Sequence, residues 1–264
     1  MSANKSGRAA LKNLEPRAPK KKSPAAKKPT KLEKFSTWFK ARRLWQRIVL
    51  IFVAVVLLLT SLSLTVDALW PATKEPNYGV SFSPIYAEEL GVDWRENYIA
   101  VLDSLQFKRY RLMSYWDRIE KQPGQYDFSE VDWQLDEAAK RGYSVSLAIG
   151  LRQPRWPECH QPSWASEQYD KDQAAWKASL YAFIEKTVDR YKDHPALQSY
   201  QLENEAVNSW FGVCKDHERS RLREEFDLVR KTDPNHPIYM SLSDQHGFPA
   251  GTPVPDKYGF SVYR

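Results

Sequence analysis

Two glutamates and an asparagine stand together in the second half of the chain, at Glu203, Asn204 and Glu205. They follow residues 198–202, which we interpret as a β-strand. A carboxyl group at the end of a barrel strand points into the catalytic mouth of that fold, where a raised pKa lets it protonate a leaving oxygen. Glu205 in that position could act as a general acid/base, with Asn204 donating a hydrogen bond beside it. On these residues alone we favour the alternative, that both glutamates are ordinary carboxylates on a barrel rim.

Cysteine and histidine set further limits on the chemistry. Cys159 and Cys214 are the two cysteines of the chain, too few for a four-Cys zinc site. Both fall in loops after predicted strands, where a disulfide could form outside the cytoplasm; two free thiols are the alternative. The five histidines are dispersed, without the spacing of a metal site. We expect neither a metal nor a cofactor.

The elements that position these residues alternate between strand and helix. Amphipathic stretches that separate the predicted strands have helical spacing. Such repeated units predict parallel strands with right-handed crossovers. Because no glycine-rich turn follows the first strand, the pattern favours an α/β (β/α)8 TIM barrel over a nucleotide-binding open sheet. The six predicted strands are residues 78–83, 109–113, 145–149, 198–202, 238–242 and 259–263.

The length of this folded part is short for a complete barrel. Residues 76–264 contain 189 residues and about six of the eight strand–helix units, whereas a complete barrel needs roughly 250 residues. An open parallel sheet would also leave two exposed edges. We therefore expect the chain to be a C-terminally truncated barrel.

The N-terminal part has a different composition. Residues 1–47 carry 15 Lys/Arg against two acidic residues, a net charge of +13, and we predict a disordered basic tail. Residues 48–66 are uncharged and would form a helix roughly 28 Å long, close to the thickness of a bilayer core. We predict a single transmembrane signal anchor over residues 48–69 that contacts membrane lipid. A cleaved signal peptide is the alternative.

Charge predicts the orientation of that anchor. The excess of Lys/Arg before the helix places the N-terminus in the cytoplasm and the remaining chain on the far side of the plasma membrane. Everything after the basic tail has a net charge of −7, against +6 for the whole chain. The folded part therefore lacks the basic surface that nucleic acid would need, and no nucleic-acid partner is expected.

Several motifs together resemble one group of enzymes. The segment from Arg111 to Gly150 resembles the W-x-x-I-E-x-x-x-G-x-Y-D-F segment of clan A glycoside hydrolases, especially the β-galactosidase (family 42) and cellulase (family 5) groups. The run from His194 to Leu197 and the Asn204-Glu205 pair are also similar to theirs. The resemblance covers residues 78–263.

This resemblance implies a TIM-barrel glycosidase that acts with retention and uses Glu205 as its general acid/base. It implies that Arg111 supports the nucleophile, although a salt bridge at the barrel bottom is an alternative. Tyr263 matches an aromatic residue that touches the nucleophile. Trp116 and Trp210 would stack on the C–H faces of a sugar, unless they only pack the barrel rim.

The predicted function is that of a membrane-anchored, extracytoplasmic glycoside hydrolase whose substrate is a β-linked glycan or oligosaccharide. A retaining enzyme needs a second carboxylate roughly 5–5.5 Å from the first. The resemblance places it on a seventh strand, which we expect beyond Arg264. The alternative is a non-catalytic, membrane-anchored protein with a degenerate glycosidase barrel that binds carbohydrate or serves a structural role.

Overall fold

The computed structural model describes residues 28–69, 77–105, 107–243 and 251–261. The chain divides into two compact units, Met1–Glu75 and Pro76–Arg264. Each unit is described by itself.

The first unit contains two helices, α1 (Lys31–Lys40) and α2 (Leu44–Leu69). A capping box begins α1, since the Thr30 hydroxyl accepts from the Glu33 backbone and the Glu33 carboxylate accepts from the Thr30 backbone. The prediction of a disordered tail over residues 1–47 is therefore wrong for Lys31–Lys40 and for residues 44–47, which begin α2, and its residues 1–27 lie outside the described part. By length and composition, Leu44–Val66 within α2 is long and apolar enough to cross a membrane.

The second unit is built on a six-stranded sheet in the order β1-β2-β3-β4-β5-β6, and every neighbouring pair is parallel. This confirms the predicted parallel arrangement. Only β1 is much shorter than expected, because the residues after Ser81 lead directly into a helix. The strands are β1 (Val80–Ser81), β2 (Arg109–Met113), β3 (Ser144–Ile149), β4 (Leu197–Leu202), β5 (Ile238–Ser243) and β6 (Lys257–Ser261).

Seven helices are described in this unit. Aspartates cap two of them, where Asp93 accepts from the backbone of Glu96 and Asp172 from Ala174 and Ala175. The sequence did not predict α3, α5 or α7, which are short and lie at the carboxyl ends of strands. The helices are α3 (Pro84–Glu89), α4 (Trp94–Ser104), α5 (Trp116–Ile119), α6 (Ser129–Lys140), α7 (Ser163–Lys171), α8 (Gln173–Tyr191) and α9 (Arg219–Thr232).

The core lies between the sheet and these helices. The α8 stripe that includes Phe183, Ile184 and Val188 is fully buried, as are Leu147 of β3 and Tyr200 of β4. Parallel pairing aligns the strand ends, with Ile149 opposite Leu202. The loops that follow β3 and β4 therefore leave the sheet side by side, at the end where parallel α/β folds place their ligands.

Candidate active site

A pocket of about 480 Å³ lies at the carboxyl ends of the strands. Ser81 and Arg111 contribute from β1 and β2, Glu158 from the segment after β3, and Asn204 from the segment after β4. Further lining residues are Ser83, Tyr86, Glu89, Met113, Pro154, Arg155, Trp156, Phe211 and Ser261. The structure thus brings two of the predicted binding residues, Arg111 and Asn204, to one pocket.

Arg111 and Asn204 are joined through Gln201. Arg111 Nη1 donates to Gln201 Oε1 at 2.9 Å, and Gln201 Nε2 donates to Asn204 Oδ1 at 3.1 Å. Arg111 Nε also donates to the Ser81 hydroxyl at 2.8 Å. Residues from β1, β2 and β4 are therefore linked by hydrogen bonds beneath the pocket.

Glu205 follows Asn204 and is nearly buried, with 5% of its surface exposed. Its Oε2 accepts from Asn208 Nδ2 at 3.1 Å, and its backbone N–H donates to the Ser241 hydroxyl at 2.9 Å. Glu205 is not among the described residues that line the pocket, whereas its neighbour Asn204 is.

The backbone around Glu205 is unusual. Glu203 has φ +53° and Glu205 has φ +46°, a left-handed conformation that costs non-glycine residues about 1 kcal/mol or more. Gly150 lies against this turn, since a Cβ there would be 2.8 Å from Glu203 Cγ. Two strained residues separated by one position persist only where their surroundings hold them.

Arg221 of α9 supplies much of that support. Its Nη1 lies 2.7 Å from Glu203 Oε1, which also accepts from the Leu151 backbone at 3.0 Å. Burial is the largest single influence on Glu203 and opposes its ionisation, but the Arg221 charge and hydrogen bond, the Leu151 N–H and the Arg152 charge together lower its pKa. Arg221 also pairs with Asp216 and Glu225. Burial and the Glu203 charge raise the pKa of Glu225 well above its ordinary value, although the Arg221 charge opposes that rise.

The segments after β3 and β4, residues 150–162 and 203–218, are fastened together; we call them the loop pair. A disulfide joins Cys159 to Cys214. The fully buried Arg152 donates to Asn204 O at 2.9 Å and to Phe211 O at 3.1 Å. Val213 N donates across the pair to Pro157 O at 2.9 Å.

Glu158 is a second pocket carboxylate, and it has only 4% of its surface exposed. Its Oε2 accepts from Asn204 Nδ2 at 2.8 Å and lies 3.6 Å from Arg152 Nη2. Burial raises the pKa of Glu158, the Asn204 hydrogen bond and the Arg152 charge oppose that rise, and the Glu205 charge adds to it. The sequence did not single out Glu158, Arg152, Gln201 or Arg221; only the neighbouring Cys159 pointed to this part of the chain.

Trp116 does not have the place expected of a sugar platform. It is fully buried and stacks on Phe183, with ring centroids 5.6 Å apart. Its Nε1 donates to Glu120 Oε2 at 2.6 Å, and Glu120 Oε1 accepts from Gly124 N at 2.7 Å. The expectation that Trp116 binds substrate is therefore wrong: its indole is enclosed in the core, and Glu120 has a structural role.

Two other aromatic rings line the pocket instead. Trp156 and Phe211 are 57% and 48% exposed, and their ring centroids lie 5.7 Å apart. Trp210 is 82% exposed but does not line this pocket, and its role in binding stays a prediction. Tyr263, expected to touch the nucleophile, lies outside the described residues.

Within the described ranges, no group of three or more His, Cys, Asp or Glu residues is placed to hold a metal ion. The chemistry available at the pocket is that of carboxyl, amide and guanidinium groups. Parallel strands whose loops carry an Asn-Glu pair agree with what the resemblance to clan A glycoside hydrolases implies.

The sequence profile of the β-galactosidase family, glycoside hydrolase family 42, matches residues 92–236, more than half of the chain. The chain belongs to this family.

Curated relatives are similar over the same part of the chain. β-Galactosidase LacZ of Heyndrickxia coagulans is 29% identical over an alignment of 139 residues, and the match covers 43% of this chain and 20% of that protein. β-Galactosidase Pbg of Clostridium perfringens is 25% identical over an alignment of 134 residues, and the match covers 42% of this chain and 18% of that protein. The chain thus spans about a fifth of the curated relatives it matches.

Solved structures share the fold. The cold-adapted β-galactosidase of Rahnella sp. R3 has a TM-score of 0.51 at 14% identity, covering 73% of this chain and 40% of that one. A family 5 enzyme of Streptomyces cattleya, solved with GlcNAc, has a TM-score of 0.51 at 16% identity, covering 66% and 46%. The six strands therefore form part of a (β/α)8 barrel.

Proposed function

We propose that the protein is a retaining glycosidase of β-linked glycans, with Glu205 as its general acid/base. The observation that carries the proposal is the position of Asn204 and Glu205 at the carboxyl end of β4, beside the pocket that Asn204 lines. A retaining enzyme needs an acid that protonates the leaving oxygen and then, as a base, activates water. The Asn208 amide holds the Glu205 carboxyl in one orientation for that task.

The substrate would lie between the polar floor and the aromatic rim of the pocket. Asn204 would donate to the 2-hydroxyl of the sugar, a contact that strengthens in the transition state. Trp156 and Phe211 would contact the apolar C–H face of a pyranose. The second carboxylate of the mechanism has no counterpart assigned among the described residues, and we propose that a seventh strand supplies it.

We further propose that the domain is anchored to the plasma membrane and faces away from the cytoplasm. Leu44–Val66 has the length and composition of a bilayer span, and the +13 charge of residues 1–47 favours a cytoplasmic N-terminus. The disulfide supports this placement, because cytoplasmic thiols are kept reduced. External protease applied to intact cells should digest the second unit and spare an N-terminal epitope; digestion of the epitope alone would reverse the topology.

The near-burial of Glu205 favours one second candidate, a membrane-anchored protein that binds carbohydrate without cleaving it. In that case the pocket and its aromatic rim would serve binding alone. Glycan binding without product formation by the full-length protein would support this candidate and contradict the first.

Replacing Glu205 by Gln tests the proposal. With an unactivated β-glycoside, loss of the general acid should lower kcat of the full-length protein by about 10²–10⁴-fold. With a dinitrophenyl β-glycoside, which needs no protonation, the bond-breaking step should be nearly unchanged. Glu185→Gln removes an exposed carboxyl of α8 outside the pocket and is the matched control, with little effect expected on either substrate. Equal activity of Glu205→Gln and wild type on the unactivated substrate would contradict the assignment.

A further inference from the structure

One continuous set of hydrogen bonds crosses the pocket floor. It begins at the Arg111 guanidinium, which can only donate, and reaches Gln201 Oε1 at 2.9 Å. Gln201 Nε2 then donates to Asn204 Oδ1 at 3.1 Å, and Asn204 Nδ2 donates to Glu158 Oε2 at 2.8 Å. All three bonds run in one direction, from a cation to a carboxylate.

The chemistry of the two ends fixes both amides between them. Since Arg111 offers only donors, Gln201 must present its oxygen to it and its nitrogen to Asn204. Since an ionised carboxylate only accepts, Asn204 must present its nitrogen to Glu158. Flipping either amide would put two donors or two acceptors face to face at both of its contacts. Hydrogen bonds to charged groups are also the stronger kind, which favours this single arrangement.

Ser241 connects the same network to Glu205. Its hydroxyl accepts from Glu205 N at 2.9 Å and lies 3.3 Å from Asn204 Oδ1, to which it donates. The Asn204 oxygen thus has two donors, while its nitrogen has one acceptor in Glu158 and a second hydrogen. Because Asn204 lines the pocket, that second hydrogen is the one available to a ligand.

Glu158 is itself held firmly in place. It has φ +72°, precedes the disulfide-bonded Cys159, and lies against Gly212, where a Cβ would be 2.7 Å from Glu158 Cβ. Arg152 Nη2, 3.6 Å from Oε2, offsets part of the cost of burying the carboxylate. The loop pair therefore holds the Glu158 carboxylate, a hydrogen-bond acceptor, next to Asn204 Nδ2.

We propose that Glu158 is a positioning residue, which orients the Asn204 amide so that Nδ2 donates to a hydroxyl oxygen of a bound sugar. This inference rests on the proposed function, because it takes the ligand to be a glycoside. Glu158 acts through Asn204, and no proton or bond of the substrate passes to it.

The first test compares Glu158→Ala with Glu158→Gln in the full-length protein, with Glu185→Gln, at an exposed carboxyl of α8 outside the pocket, as the control. The measured quantity is the kcat/KM ratio between a β-glycoside and its 2-deoxy analogue. Glu158→Ala frees the amide and should reduce the ratio about tenfold, the loss expected for about one hydrogen bond. Glu158→Gln still offers an oxygen acceptor and should keep the ratio within about threefold, as should Glu185→Gln. An unchanged ratio in Glu158→Ala would overturn the proposal.

The second test does not depend on turnover. The Asn204 side-chain NH₂ signals of ¹⁵N-Asn-labelled full-length protein in detergent, identified with Asn204→Asp, should shift in Glu158→Ala and stay in place in Glu185→Gln. Unchanged signals in Glu158→Ala would overturn the orienting role even if the enzyme is active. Shifted signals without hydrolysis by wild type would support the Glu158–Asn204 contact and contradict the proposed function instead.

Discussion

The segment after β2 and the loop pair after β3 and β4 use the same residue types for different purposes. After β2, Trp116 and Glu120 bond to each other inside the core. In the loop pair, Trp156 and Glu158 face a pocket. The segment after β2 carries the longest recognisable motif, yet its motif residues stabilise the fold. The recognisable motif after β2 therefore belongs to the core, whereas these pocket-lining residues come from the less regular loop pair.

Replacing Arg221 should have the largest effect, because Arg221 pairs with Glu203 of the loop pair. Arg221→Leu would leave the fully buried Glu203 without its cation. Removing one partner of a buried pair costs about 3–5 kcal/mol of unfolding free energy. Urea unfolding measures it, and Arg190→Leu, which breaks the more exposed pair with Asp132, should cost about 1 kcal/mol or less. Equal costs for the two variants would refute a special role for Arg221.

Trp116 tests the segment after β2. Trp116→Ala should lower the unfolding free energy by about 3–5 kcal/mol, as large-to-small changes in a core do. Turnover per folded molecule should change little, because the ring does not line the pocket. Trp210→Ala, at an exposed ring, should leave stability within about 0.5 kcal/mol. A Trp116→Ala protein of normal stability but raised KM would restore Trp116 as a binding residue.

The disulfide tests whether the loop pair acts as one unit. Cys159→Ser with Cys214→Ser frees a crosslink with a sequence separation of 55 residues, for which the chain-entropy estimate is at most about 4 kcal/mol and typical losses are about 2–4 kcal/mol. We also expect a rise in KM, since Trp156 and Phe211 lie on opposite members of the pair. Thermal unfolding and steady-state kinetics measure the two effects. Lost stability with unchanged KM would separate the crosslink from the pocket.

The smallest effect expected is on the pH dependence of the unfolding free energy, to which Glu203 and Glu158 contribute with opposite signs. The pKa of Glu203 is lowered from its ordinary 4.5, so its contribution is present above pH 4.5 and is lost as pH falls through the folded-state pKa. The pKa of Glu158 is raised from 4.5, so stability falls as pH rises from 4.5 to the folded-state pKa. Glu203→Gln should flatten the first dependence and Glu158→Gln the second, as measured by unfolding free energy against pH. The same slope change in both would contradict these environments.

The limits of sequence reasoning follow from where each residue's partners lie. The parallel strands were predictable because apolar runs and the helices between them are local sequence patterns. The observed strand β2, Arg109–Met113, has the same bounds as the strand predicted from the sequence. Asn204 was predicted as a binding residue because the end of a strand is also a local feature of the sequence. Glu158 and Arg221 were missed because their partners, Asn204 and Glu203, are 46 and 18 residues away. Trp116 was misplaced because a loop position does not reveal whether a neighbouring helix covers the ring.

The central claim, that Glu205 is the acid/base of a retaining glycosidase, has one direct test. In Glu205→Ala, azide should reach the glycosyl-enzyme without needing a general base. With a dinitrophenyl β-glycoside, added azide should raise turnover of the full-length variant, and ¹H NMR should show a glycosyl azide with the β configuration of the substrate. No rescue by azide, or a product of α configuration, would contradict the account.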